Sequence, residues 1–308
     1  MESIHKTVLL NETIEGLNLK SNSVVVDATF GGGGHSLEIC KRFPKVKIIA
    51  IDQDASAFEK AKSKFKGLDC NITFININFR HLKNLKDFGA FALGDISGII
   101  FDLGLSSDQL ENSGRGFSFM KDEPLLMQMQ NSGKDSEKEN PLSDEVTAYD
   151  VVNSWSEESL ADIIYGYGEE KFARRIAKGI VEARSKTEIK TTFDLVKIIS
   201  DSVPAVYRRG RLHFATRTFQ AIRIAVNDEL RVLEEGLKGG FEILKSGGRM
   251  SVISFHSLED RIVKKFYKNK EKEGKAKLIN KRIITASEKE IKENPRSRSA
   301  KLRVLEKI

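Results

Sequence analysis

The chain has 308 residues, enough for one large domain or two modest ones with a real core. Its 51 Lys and Arg exceed its 44 Asp and Glu to give a formal +7, and the absence of any 18-residue apolar run excludes a membrane-spanning helix. Residues 1–6 lack a charged-then-apolar export signal, and Cys40 and Cys70 stand at no metal-ligand spacing, so reduced thiols in a soluble cytoplasmic protein are expected.

Residues 7–13 read as a short lead ending in a helix cap. Val24-Val25-Val26 then makes a buried strand closed by Asp27, four glycines follow (Gly31 to Gly34), and 37–43 has helical periodicity. Glycine is needed where the backbone takes positive φ or must approach a ligand closely. The dinucleotide pattern GxGxxG fails, because its third glycine would fall on Ser36. Asp-x-x-x-Gly-x-Gly fits from Asp27 through Gly31 to Gly33, which resembles motif I of class I S-adenosylmethionine-dependent methyltransferases. A second strand, 47–51, ends on Asp52, placed to accept hydrogen bonds from both ribose hydroxyls of an adenosine. The alternative is that Asp52 caps the helix carrying Ala57, Ala61 and Phe65.

A third strand over 72–76 leads to Phe79, at an edge where adenine needs an apolar face, or else an ordinary core phenylalanine. His81 reads as structural. The fourth strand, 96–101, is followed by Asp102-Leu103-Gly104-Leu105-Ser106-Ser107. Ligands of open α/β sheets bind beyond the carboxyl ends of strands, so an acid there beside two hydroxyls points at a reacting centre. Methyl transfer to an exocyclic base amine needs such an oxygen, because accepting the N–H restores density to a delocalised lone pair. Asp102 can supply it.

From Gln109 to about Leu212 the βα rhythm stops, which marks an insertion. Residues 132–141 are polar and charged, hence a flexible loop. Helices follow over 169–184, with Phe172, Ile176 and Ile180 on one face, and over 193–202. A long helix is expected over 216–238, its stripe of Phe219, Ile222, Val226, Leu230, Leu233 and Leu237 in the core and Arg217, Gln220 and Asn227 on another face. A fifth strand, 249–255, ends on His256, for which a hydrogen-bonding role is preferred to a metal site. The tail reads as an antiparallel pair, 277–285 with 302–306, and between them Arg296 and Arg298 sit on a proline-stiffened loop suited to phosphates.

Charge is sorted along the chain. Residues 121–170 hold 13 acids and 3 bases, 171–223 hold 13 bases and 4 acids, and 261–308 hold 17 bases and 6 acids. Basic tracts on a near-neutral body suit a polyanion, most simply nucleic acid, although a solvated basic surface has the same composition.

Taken together, several segments are similar to the RsmH (MraW) family of bacterial small-subunit ribosomal RNA methyltransferases: Thr29-Phe30-Gly31-Gly32-Gly33-Gly34-His35-Ser36, Asp102 to Ser107, Arg115-Gly116-Phe117-Ser118-Phe119-Met120, Thr216-Arg217-Thr218-Phe219-Gln220, Ser254-Phe255-His256-Ser257 and Asn294-Pro295-Arg296-Ser297-Arg298. They run nearly end to end. The resemblance implies a class I methyltransferase (Rossmann-like) α/β sheet with an inserted helical domain, bounded as 1–108, 109–213 and 214–308. It implies N4-methylation of one cytidine in the decoding centre of 16S ribosomal RNA, within the 30S subunit, with S-adenosylmethionine as donor. Cofactor contacts are implied at Gly33, Gly34, His35, Asp52, Phe79, Asp102 and Gln109. Asp102, Ser106 and His256 are the expected catalytic residues, and Arg115, Arg217, Gln220, Asn227, Arg296 and Arg298 the expected RNA contacts, with no metal, no membrane and an open oligomeric state.

Two departures stand out. Ser106-Ser107-Asp108-Gln109 replaces the usual Ser-Ser-Pro-Gln, and Pro124-Leu125-Leu126-Met127-Gln128-Met129-Gln130 replaces Pro-Leu-Asp-Met-Arg-Met-Asp, losing two acids and an arginine. The second leaves open a non-catalytic ribosome-binding factor. A DNA amino-methyltransferase is disfavoured, because the loop reads Asp-Leu-Gly-Leu rather than Asp-Pro-Pro-Tyr.

Overall fold

A computed structural model describes residues 6–88, 95–130 and 146–308. The chain divides into two compact units, Met1–Gly104 with Leu230–Ile308, and Leu105–Glu229.

The first unit is built on a seven-stranded sheet of β1 (Val24–Asp27), β2 (Val46–Asp52), β3 (Cys70–Asn76), β4 (Ile96–Asp102), β5 (Leu244–Ser254), β6 (Ala276–Leu278) and β7 (Lys301–Lys307), in the order β3-β2-β1-β4-β5-β7-β6. Strands β1 to β5 run parallel and β7 antiparallel to both neighbours. This is the Rossmann-like α/β class expected from the sequence. The period-2 geometry of a strand explains why these segments are continuously apolar. Val24, Val26, Ile49, Ile51, Ile99 and Phe101 face one core with Leu233, Leu237 and Tyr267. Val25, Ile48, Ala50 and Ile100 face the other with Ile14, Ile39, Phe58 and Phe65. Strand order reverses between β1 and β4, the crevice where an open α/β sheet takes its ligand.

The cysteines differ from expectation. Cys40, near the end of the helix Gly34–Arg42, and Cys70, the first residue of β3, form a disulfide with Cα atoms 5.4 Å apart. Their separation of 30 residues carries no pairing signal; parallel β2–β3 pairing and the packing of that helix bring them together.

In the second unit the helices Ala148–Ser154, Glu157–Gly166, Ala173–Arg184, Thr192–Ser202 and Thr216–Asn227 enclose a core that includes Val151, Leu160, Ile176, Ile180, Leu195 and Ile222. Reciprocal capping boxes, Thr147 with Asp150 and Thr191 with Asp194, start two of them. The loop expected over 132–141 lies outside the described residues. The long helix expected over 216–238 is two helices. Asp228 takes a left-handed conformation (φ 49°) that ends Thr216–Asn227, and Glu229–Ile243 begins beyond it. A short polar side chain tolerates that geometry. Phe219 and Ile222 therefore belong to the helical core, whereas Leu233 and Leu237 pack on the sheet.

Candidate active site

Three neighbouring strands end on aspartate: β2 on Asp52, β1 on Asp27 and β4 on Asp102. Parallel strands bring their carboxyl ends to one edge, so the acids read singly along the sequence form one row.

The glycine turn lies between β1 and the helix Gly34–Arg42. Gly31 (φ 49°) donates its amide to Asp52 Oδ2 at 2.8 Å, and the Asp54 amide donates to Asp52 Oδ1 at 2.9 Å. Each oxygen keeps a further lone pair for a hydroxyl. Gly33 caps the helix at φ 73°, and a Cβ there would meet Phe30 Cζ at 2.6 Å; one on Gly34 would clash with Thr7 Oγ1. These two glycines are thus demanded by the protein's own packing, and Gly31 by the bond to Asp52.

Asp27 is buried; Ser36 Oγ donates to its Oδ2 at 2.6 Å, and its Oδ1 has no hydrogen-bond partner among the described residues. Burial raises its carboxyl to about 6. Asp102 donates its amide to Thr29 Oγ1 at 2.6 Å, its Oδ2 lies 3.7 Å from Nδ1 of buried His35, and its Oδ1 is buried without a hydrogen-bond partner among the described residues. Burial first, then the negative charges of Asp27 and Glu259, push the Asp102 carboxyl up to about 8. Burial also holds Asp52 above the ordinary carboxyl range. The row is poorly compensated, so it favours a ligand that brings positive charge and hydrogen-bond donors.

Phe79 follows β3. Its ring meets Phe101 edge-on at 5.5 Å and lies over Gly236, where a Cβ would approach Phe79 Cδ2 to 2.5 Å. It is partly buried, so the core and open-edge readings both apply to one ring. His256 caps the helix Ser257–Lys272: its Nδ1 accepts from the Glu259 amide at 3.4 Å, and its Nε2 lies 3.1 Å from Glu259 Oε1. Glu259 is itself buried and accepts the Phe255 amide at 2.8 Å. Asp27, Thr29 and Glu259 are absent from the catalytic and cofactor-binding residues expected from sequence, although Asp27 opens the glycine motif and Glu259 stands three residues beyond His256 at capping-box spacing.

In the helical unit, Ser106 and Gln109 cap one another around the helix Ser107–Glu111: Ser106 Oγ accepts the Gln109 amide at 3.1 Å and Gln109 Oε1 accepts the Ser106 amide at 2.9 Å. The candidate RNA contacts there bond inward. Arg115 donates to the carbonyls of Gln128 and Met129 at 3.0 and 3.1 Å, Arg217 to Glu169 at 2.7 Å and Gln220 to Tyr167 at 2.9 Å. Asn227 donates to the Met127 carbonyl at 2.7 Å and accepts the Met129 amide at 2.8 Å. Arg296 and Arg298 are exposed on either side of buried Ser297. In the altered stretch Leu125, Met127 and Met129 are buried, while positions 126, 128 and 130, where the charges are lost, are more open. The departure changes the outer side of that segment and leaves its packed side intact.

The model of the MraW methylase family matches residues 2–308. A protein of Brevibacillus brevis named ribosomal RNA small subunit methyltransferase H is 44% identical over 321 residues, covering 99% of this chain and 98% of that one. One of the same name from Lactobacillus johnsonii is 44% identical over 329 residues, with both chains covered in full. Among solved structures, an rRNA methylase from Streptococcus thermophilus is similar with a TM-score of 0.43 at 12% identity, covering 99% of each chain.

Proposed function

The chain belongs to the MraW methylase family, and from that premise we propose that it methylates small-subunit ribosomal RNA from S-adenosylmethionine, at the N4 amine of one cytidine in the decoding centre of 16S RNA. Full-length similarity to two proteins named for small-subunit ribosomal RNA methylation supports the substrate class. The observation that carries the chemistry is the row of strand-end aspartates, with an Asp102 oxygen that has no hydrogen-bond partner among the described residues at the strand-order reversal.

S-adenosylmethionine fits the residues present. Asp52 has lone pairs left for the ribose hydroxyls, Phe79 offers a partly open ring for adenine, Gly31 to His35 bound the turn, and the crowded carboxyls favour a cationic donor. When bound, that donor supplies an electrophilic methyl group on a sulfonium.

Asp102 accepts the N4–H of the target base and so returns electron density to the attacking nitrogen. Its carboxyl, raised to about 8 in the free chain, would ionise beside a cationic donor and then be a competent resting place for the proton that the amine loses. His35 Nδ1 lies 3.7 Å from the other carboxyl oxygen. The Glu259 carboxylate, pinned by the Phe255 amide, keeps the field at Asp102 negative. Ser106 and His256 each fix the loop that carries them by capping the helix that follows. Reaching a stacked amine requires the base to leave its stack.

The test incubates the protein with S-adenosylmethionine and 30S subunits from cells lacking the enzyme, then maps methylated nucleosides by mass spectrometry. N4-methylcytidine at a single decoding-centre position is expected. A methyl group on another base, or donor binding with no transfer, overturns the proposal; the latter would favour a ribosome-binding factor.

A further inference from the structure

We infer that the arginine-bearing arc over residues 206–213 of the helical unit docks a strand of the substrate RNA through its phosphates; this deepens the function proposed above and rests on it. Between residues 202 and 227 the chain has five arginines and no Asp or Glu. Two are committed elsewhere: Arg223 forks onto Glu229 at 2.7 and 2.8 Å, and Arg217 holds the Glu169 carbonyl. The Arg208 guanidinium donates to the Ser200 hydroxyl at 3.1 Å and remains exposed. The Arg209 and Arg211 side chains are exposed and make no hydrogen bond or ion pair among the described residues.

The arc is held at both ends. Tyr207 donates its hydroxyl to the buried Glu170 carboxylate, and its ring packs against Phe172 at 4.9 Å with Lys171 Nζ 5.2 Å from the ring centre. At the far end the His213 ring stacks on Phe119 at 4.5 Å, 6° from parallel, and its Nδ1 accepts the Ala215 amide at 3.3 Å. With Nδ1 an acceptor, the neutral imidazole carries its proton on Nε2 and presents one more donor. Fixing both ends while leaving the guanidinium groups unspent lowers the entropy lost on binding. Guanidinium forks match phosphate geometry, and Val206 (85% exposed) and Leu212 (52%) give apolar contact beside them. The inward-bonded Arg115, Arg217, Gln220 and Asn227 shape the unit, and the arc touches the RNA.

The test compares the full chain with its Arg209→Ala/Arg211→Ala and Arg209→Lys/Arg211→Lys variants. Binding of the fluorescently labelled protein to 30S subunits from cells lacking the enzyme is followed by anisotropy between 50 and 200 mM KCl, with S-adenosylmethionine affinity measured by calorimetry. The alanine pair should bind the subunits about tenfold more weakly, with a log–log salt slope shallower by roughly 1.4, about 0.7 for each single-strand phosphate contact removed. The lysine pair should restore the slope, and donor affinity should not change. Wild-type slope and affinity in the alanine pair, with the parent still binding the subunits, overturns the docking arc and leaves the proposed function standing. Failure of the parent chain to bind the subunits overturns both. A loss seen only on anionic phosphatidylserine vesicles, with subunit binding intact, overturns the RNA assignment. Arg211→Ala alone serves if the alanine pair does not fold.

Discussion

Replacing Asp102 with asparagine removes the one group whose charge the site resists most. In the folded chain the Asp102 carboxyl lies near 8 rather than the ordinary 3.8, with burial the largest cause. A carboxyl raised on folding binds its proton more tightly in the native state, so stability is highest at low pH and falls as pH climbs from the unfolded value to the folded one. At ~1.4 kcal/mol per pH unit, the wild-type chain loses on the order of 4 kcal/mol between pH 5 and 8 through this group. That is an upper bound, because 24% of the side chain is open and water screens part of the field. Asp102→Asn should flatten the gradient and unfold on the order of 10 °C above wild type at pH 8, at roughly 2–4 °C per kcal/mol for a unit of this size. The same change should lower methyl transfer by roughly 10²- to 10³-fold, the usual cost of removing a preorganised group that stabilises developing charge. Thermal unfolding followed by circular dichroism from pH 5 to 9, with parallel transfer assays on 30S subunits, reads both. An unchanged stability gradient would refute the raised carboxyl, and undiminished turnover would refute Asp102 as the acceptor.

Asp52→Ala removes the acceptor for the Gly31 and Asp54 amides as well as for a ribose, so donor affinity measured by calorimetry should drop about 10- to 100-fold or more, at roughly 1.5–3 kcal/mol per charged hydrogen bond; an affinity within threefold of wild type would remove Asp52 from the site. Asn227→Ala should cost about 1–3 kcal/mol of stability, because it strands the Met129 amide and the Met127 carbonyl, and urea titration should show this as a lower midpoint; an unshifted midpoint with weakened RNA binding would return Asn227 to the RNA surface. Cys40→Ser should lower stability by about 3–4 kcal/mol under non-reducing conditions, as expected for a loop of about 30 residues in the chain-entropy account, and dithiothreitol should lower wild type to meet it; equal midpoints of the two proteins without reductant would mean that the bond contributes nothing.

Local order was legible wherever chemistry and periodicity are both local. Val24-Val25-Val26-Asp27 followed by glycine announces a strand and a turn, and Asp52 and Asp102 each close an apolar run, because a strand's alternation and a glycine's freedom depend on a few neighbours. Legibility stopped where meaning depends on what lies opposite. The hydrophobic stripe of 216–238 is continuous in sequence, yet Asp228 breaks it between two cores, and no periodicity records which core each half faces. Arg115 and Asn227 read as polar surface until the carbonyls they hold are in view.

The amino-acid order alone determined which residues end the parallel strands and where the backbone can turn sharply. Only the tertiary structure decided that Asp52, Asp27 and Asp102 share one edge, that Cys40 meets Cys70, and that the Asp102 proton is held up to about 8. The reason is that dielectric, charge proximity and hydrogen-bond partners are properties of space rather than of chain position, and folding brings together residues far apart in the sequence, as it does Asp27 and Asp102 across 75 positions.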